Sequence, residues 1–408
     1  MTVLKNISVL YRCLNEGNQA DLFPLFNAAI VWKNDRINWV GEEKDLPEEY
    51  QKEHRFDIID AEGGILIPGL IDCHTHLAFG GWRSDEFEMR LQGKSYLDIA
   101  KSGGGILSTV KKTREAGEDE LYQKSLTHLQ KIIASGVTTV ECKSGYGLTL
   151  KDELKQLRVY KRLSEESPAR IISTFLGAHT IPPEYKKNRE KYIDLLIHEM
   201  IPAVAEEELA HFCDIFVEQS AFTVEEARRI LGAGKAVGLK PKIHADQLTS
   251  CGGAELAAEV GAVSADHLEQ VSVNGIRLMS ESGVIGVNLP IASLYTGQPY
   301  LNCRKLVDQG VKVAIATDFN PGSAPSFDLE LAMMLSCNHG RLTPAECLKG
   351  VTVHAASALD YQDDIGSLET GKKADFVLIE SEDVNFWLYH YKGSEIKAVY
   401  IDGNCVSC

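Results

Sequence analysis

Several things are scarce or missing in this sequence of 408 residues, and each absence removes a class of function. Basic residues are outnumbered, with 42 Lys and Arg against 58 Asp and Glu for a net charge of −16. That balance argues against a nucleic-acid surface, which needs clustered cations to meet phosphates. No apolar run approaches the roughly 20 residues that span a bilayer as a helix. The opening Met-Thr-Val-Leu-Lys-Asn leads into mixed residues rather than an apolar leader core, so the expectation is a soluble, cytoplasmic protein with no nucleic-acid or membrane partner. The triple glycine at 103–105 is not followed by Gly-Lys-Ser or Gly-Lys-Thr, so it is no phosphate loop. Internal repeats, low-complexity tracts and linkers are absent too. The ten cysteines are scattered and read as unpaired thiols, mostly small core residues in a reducing compartment.

What is present has a rhythm. Short apolar runs at 65–76, 137–144, 170–179, 214–219, 240–246, 263–269, 284–289 and 311–318 read as buried strands. Amphipathic segments lie between them, including 153–163 and 223–237, the latter opening on a Thr223/Glu226 capping box. Eight strand–helix units predict an α/β fold, a closed (β/α)8 barrel of the TIM type. The ends break the rhythm. Residues 1–63 carry alternating runs at 28–33, 37–41 and 56–60, and the tail from 366 carries others at 374–379 and 396–401. These predict one small, sandwich-like antiparallel β domain built from 1–63 and 366–408, around a catalytic barrel over 64–365.

The chemistry concentrates at predicted strand ends. His74 and His76 sit two apart, so both side chains project to the same side, at the barrel mouth where active sites lie. His244, His267 and Asp318 end three later strands. One buried polar group per strand is compatible with a hydrogen-bonded core. Several at one rim would be costly to desolvate unless they share a ligand. Imidazoles plus a carboxylate suit one metal ion, Zn2+ or Fe2+/Fe3+, with a position left open for water. Such an ion acidifies that water and polarises a carbonyl, which predicts metal-assisted hydrolysis. The expected ligands are His74, His76, His244 and Asp318.

The segment Pro68-Gly-Leu-Ile-Asp-Cys-His-Thr-His76 and the tail Gly366-Ser-Leu-Glu-Thr-Gly-Lys-Lys-Ala-Asp-Phe-Val-Leu-Ile379 resemble the amidohydrolase superfamily. Further segments narrow the resemblance: His76-Leu-Ala-Phe-Gly-Gly-Trp-Arg83, Lys143-Ser-Gly-Tyr-Gly-Leu148, Gly177-Ala-His-Thr180, His244-Ala-Asp-Gln247 and Thr317-Asp-Phe-Asn-Pro-Gly-Ser323. They are similar to the branch that degrades histidine by opening an imidazolone ring. The resemblance covers essentially the whole chain. It implies hydrolysis of 4-imidazolone-5-propanoate to N-formimino-L-glutamate, and a homodimer. It also implies substrate contacts from Arg83, Tyr96, Tyr146, His179, Gln247, Asn320, Gly322 and Ser323.

A carboxylate-bearing substrate needs a cation, and Arg83 could clamp it in bidentate fashion; its plain alternative is a surface ion pair with Asp85 or Glu86. Tyr146, Tyr96 and Ser323 are otherwise loop anchors or turn residues. Neutral His179 would hydrogen-bond the ring or a developing oxyanion. Gln247 is an amide and so positions rather than abstracts protons. That leaves His267 and Asp318 for proton transfer. Lys143 lies on the second strand, not the fourth where two-metal relatives carry a carbamylated lysine. One metal is therefore expected, with Glu218 as the remaining candidate for a second. The rival activities are another cyclic-amide hydrolase or a deaminase, and, in a different class, a non-catalytic scaffold barrel.

Overall fold

A computed structural model describes residues 1–51, 57–94 and 104–408. Its strands, in chain order, are β1 Thr2–Tyr11, β2 Pro24–Lys33, β3 Arg36–Glu42, β4 Asp57–Asp60, β5 Ile65–Pro68, β6 Leu70–Thr75, β7 Val137–Lys143 and β8 Arg170–Ala178. They continue as β9 Phe212–Val217, β10 Lys240–Ala245, β11 Ser264–His267, β12 Ile285–Asn288, β13 Val313–Ile315, β14 Phe376–Glu380, β15 Glu395–Ile401 and β16 Asn404–Ser407.

Strands β6 to β13 form one sheet in sequential order, every neighbouring pair parallel. All eight predicted barrel runs contribute a strand. Residues of β6, β7 and β10 to β13 are buried almost throughout, as in a parallel sheet covered on one side by helices and filled on the other. The outer layer includes helices Leu150–Glu166 and Val224–Ala236, the second starting with the expected Thr223/Glu226 capping box. First and last strands meet at the C-terminal rim: Asp318 N donates to His74 O at 3.0 Å and His76 N to Phe319 O at 2.8 Å. Barrel closure and the meeting of candidate ligands are therefore one event.

The remaining strands form a second sheet, ordered β16-β15-β14-β5-β1-β2-β3, with β4 also paired to β1. Both chain ends build it, as expected, but three details differ. The run 65–76 is two strands. Its first half, β5, pairs with β1 and β14 in the small sheet, so that sheet extends past residue 63. Gly69 makes the switch; a side chain there would meet Thr138 Oγ1 at 2.3 Å. Next, the sheet is not purely antiparallel, because β4 and β5 both run parallel to β1. Finally, Cys405 and Cys408, a C-x-x-C pair at the very end, are bridged rather than free thiols. Trp32, Phe376 and Tyr400 pack edge-on and stacked at the centre of the small sheet, with centroids 4.6 to 5.6 Å apart. Arg170, at the start of β8, bonds Asp375 at 2.7 Å and so ties barrel to sheet. Among the described residues no helix is long and apolar enough to cross a membrane.

Candidate metal centre and active site

At the C-terminal mouth the rim residues converge. His74 and His76 reach in from β6 with ring centroids 5.4 Å apart, and His244 at the end of β10 stands 4.6 Å from His74. Asp318 Oδ1 lies 3.5 Å from Nε2 of both His74 and His76. All four residues are at most 3% exposed. The Asp318 backbone sits at φ +54°, a left-handed conformation that costs energy for a non-glycine residue and here turns its carboxylate onto the two imidazoles.

Two overlapping sets of donor atoms each lie within 4.8 Å of one another: His74, His76 and Asp318, and His74, His244 and His267. His74 Nε2, His76 Nδ1 and His244 Nε2 are buried with no hydrogen-bond partner. Buried orphan nitrogens grouped around a carboxylate are costly unless a cation satisfies them, so the predicted ligands fit a metal. Burial pushes the His244 imidazole down to about 3 and lowers His76, leaving lone pairs free for coordination. The neighbouring imidazoles hold Asp318 well below the usual carboxylate range, against the cost of burial. His267 has φ +80°, and its Nδ1 lies 3.7 Å from Glu269.

Behind this layer stands a second that the sequence reading did not assemble. Asp266 Oδ2 is 2.7 Å from His74 Nδ1, and Asp214 Oδ2 is 3.0 Å from His244 Nδ1. Carboxylates there fix each ring so that the opposite nitrogen faces the metal position. Lys143 Nζ contacts the same two oxygens, at 3.4 Å for Asp266 and 2.8 Å for Asp214, and also Glu141 at 2.9 Å. Lys242 Nζ lies 3.0 Å from Glu141. All five side chains have no exposure to solvent. Lys143 is thus a paired ammonium, its pKa raised by the surrounding carboxylates against burial, and not a bridging carbamate. A sequence signal existed: Glu141/Lys143 and Lys242/His244 are ionisable pairs two apart within buried strands, hence on one face.

Glu218 is occupied as well. Its carboxylate accepts from Gln219 N at 2.9 Å, Leu248 N at 2.9 Å and Thr249 N at 3.1 Å, and from the Thr249 hydroxyl. It anchors the loop bearing half-buried Gln247 and has no lone pair left for a second metal.

Two of the expected substrate residues, His179 and Tyr146, lie against this centre. The His179 ring stacks on His76 at 5.2 Å, and its Nδ1 lies 3.1 Å from Gly145 O. The Nδ1–H therefore donates to that carbonyl, and Nε2 is left as an acceptor. Tyr146 is buried 5.6 Å from the His76 ring and 5.5 Å from His179. Burial raises its hydroxyl pKa, so it stays a proton donor. Its loop is fixed by buried Glu153, which accepts from Gly145, Gly147 and Leu148 N at 2.7 to 3.0 Å, and by Gln156, which accepts from Tyr146 N at 3.1 Å.

Arg83 is not a surface residue. Its side chain is 11% exposed, and its contact with Glu86 is a loose 3.9 Å. The guanidinium packs against Gly322, in the space that a Cβ there would fill. Gly322, one of the implied substrate contacts, therefore permits close approach of Arg83. Asn320 spends its amide on the turn: Nδ2 donates to Asp318 O and Ser323 Oγ, and Oδ1 accepts from Gly322 N and Ser323 N, at 2.7 to 2.9 Å. It shapes the turn that carries Ser323. Tyr96 lies outside the described residues.

Residues 65–406 match the model of the amidohydrolase family. The chain belongs to that family. Among curated relatives, the imidazolonepropionase of Fusobacterium nucleatum is 47% identical, covering 99% of this chain and 98% of that protein. The imidazolonepropionase of Geobacillus thermodenitrificans is 48% identical over 95% of this chain and 91% of its own length. Within the family, then, the chain groups with the imidazolonepropionases, hydrolases of C–N bonds. Solved structures share the fold at low identity. A zinc-bound adenosine deaminase from Xanthomonas campestris superposes with TM-score 0.73 at 18% identity, covering 100% of this chain and 92% of that one. Guanine deaminase from E. coli gives TM-score 0.74 at 15% identity, covering 99% and 98%. Amidohydrolases depend on metal, and the clustered donors accord with that.

Proposed function

We propose that this enzyme hydrolyses the ring amide of 4-imidazolone-5-propanoate to N-formimino-L-glutamate, a step of histidine degradation. The observation that carries the reading is full-length similarity at 47% to imidazolonepropionases, in a chain whose half-buried Arg83 packs on Gly322, four residues after the candidate ligand Asp318. His74, His76, His244 and Asp318 would hold one ion per chain, Zn2+ or Fe2+/Fe3+. When bound, the ion acidifies water and polarises the scissile carbonyl.

The protein groups divide the rest of the work. Asp318, kept as a carboxylate, accepts a proton from the attacking water. As oxygen joins the carbonyl carbon and the ring C–N bond breaks, the leaving nitrogen must gain a proton, and His267 is the group assigned to pass it on from Asp318. Tyr146 donates a hydrogen bond to the ring. His179, with Nδ1–H spent on Gly145 O, accepts a ring N–H through Nε2 and does not serve the oxyanion. Arg83 receives the propionate. Gln247 and the 320–323 turn complete the enclosure. A homodimer in a cytoplasmic setting belongs to the same proposal; the eight free cysteines suit a reducing compartment.

The test is turnover followed by ultraviolet absorbance, with imidazolonepropionate run against adenosine and guanine. Loss of the imidazolone band supports the reading. Ammonia release from either purine, with imidazolonepropionate untouched, contradicts it.

A further inference from the structure

The structure assigns Arg90 as a second guanidinium for the substrate carboxylate, paired with Arg83 across Gly322. This rests on the proposed carboxylate-bearing substrate and extends it to a residue that the expected site leaves without a role. Arg90 ends the helix Ser84–Leu91, seven residues after Arg83. Glu86 and Arg90 are four apart on that helix and so share a face, and Arg83 is the residue that precedes its first turn.

The contacts agree. Arg90 Nη2 donates to Gly322 O at 3.3 Å, while the Arg83 guanidinium covers the Gly322 Cα. The two cations therefore flank the turn that follows Asp318. Glu86 is the acid between them, and it is already shared: Oε2 lies 3.9 Å from Arg83 Nη1, and Oε1 accepts from Gly105 N at 2.7 Å. Among the described residues, two positive charges against one committed negative charge leave a surplus of one. Each arginine also buries an Nε–H that finds no acceptor among the described residues. A buried unpaired donor is costly, and two side by side next to a surplus charge call for an anion with two oxygens. A carboxylate one side chain away from a ring at the metal centre supplies it.

The experiment compares imidazolonepropionate with its propanamide, in wild type, Arg90→Gln and Arg90→Lys. Loss of one charge-assisted hydrogen bond raises KM for the acid by about tenfold or more. KM for the amide should hold nearly constant, and Arg90→Lys should recover part of the loss. A KM for the acid that stays put in Arg90→Gln overturns the inference. So does an equal change for acid and amide, which would mark Arg90 as a plain tether of helix to turn. Should Arg90→Gln fail to fold, Arg90→Lys decides by the same acid-to-amide ratio. Failure of the wild type on imidazolonepropionate would instead refute the proposed function itself.

Discussion

Replacing Lys143 with Met removes one ammonium from a pocket that holds three carboxylates. Lys143 and Lys242 together oppose Glu141, Asp214 and Asp266, for a formal charge of −1 with no solvent contact. Without Lys143 the same pocket carries −2, and Asp214 and Asp266 lose their contacts at 2.8 and 3.4 Å. Breaking one side of a buried ionic group costs about 3–5 kcal/mol, a large part of the roughly 5–15 kcal/mol that holds a domain folded. Met fills similar volume, so the loss is electrostatic rather than a cavity. Because Asp214 and Asp266 also orient His244 and His74, metal affinity should fall by about 10–100-fold. The assay is denaturant unfolding of metal-free protein, together with zinc affinity by competition with a chelator. A variant as stable as wild type, binding zinc equally well, would refute the view that Lys143 holds the ligand histidines through their carboxylates.

Other outcomes follow from the same geometry. His74→Ala or Asp318→Ala should abolish turnover while circular dichroism stays native; global unfolding would make the cluster primarily structural. Gly322→Ala should raise KM for the acid substrate, because its Cβ would displace the Arg83 guanidinium, and unchanged KM would contradict that packing. Burial holds the His354 imidazole down at about 3, whereas the unfolded chain protonates it near 6.5. Between those values the unfolded state binds the extra proton, so this group's stability is present above 6.5 and is lost as pH falls toward 3. One such proton gives a slope of about 1.4 kcal/mol per pH unit, which His354→Leu should remove from denaturation curves of metal-free protein.

The sequence was most readable where one residue type repeats in one place. Alternating strands and helices announce the barrel, and His74, His76, His244 and Asp318 stand at strand ends. Lys143 was harder, because its partners Asp214 and Asp266 lie 71 and 123 positions onward and meet it only after the barrel closes. Taken singly, a Lys within an apolar strand has no visible partner. The split of 65–76 was hidden for a different reason: Ile65–Pro68 and Leu70–Thr75 are equally buried, so apolar pattern does not record the change of sheet at Gly69. Strand β1 went unread because its ten residues mix Lys5, Asn6 and Ser8 among apolar ones, although it lies within the small sheet between β5 and β2. Asn320 fixes its turn with both ends of its amide, which the sequence does not show because its partners are backbone groups and the Ser323 hydroxyl.

The central claim is metal-assisted opening of a carboxylate-bearing imidazolone ring at His74, His76, His244 and Asp318. Its most direct test is metal analysis of protein purified without added metal, combined with imidazolonepropionate turnover before and after chelation. About one equivalent of zinc or iron per chain is expected, with activity lost on chelation and restored by Zn2+ or Fe2+. Full turnover by metal-free protein, or no activity with the site loaded, would contradict the account.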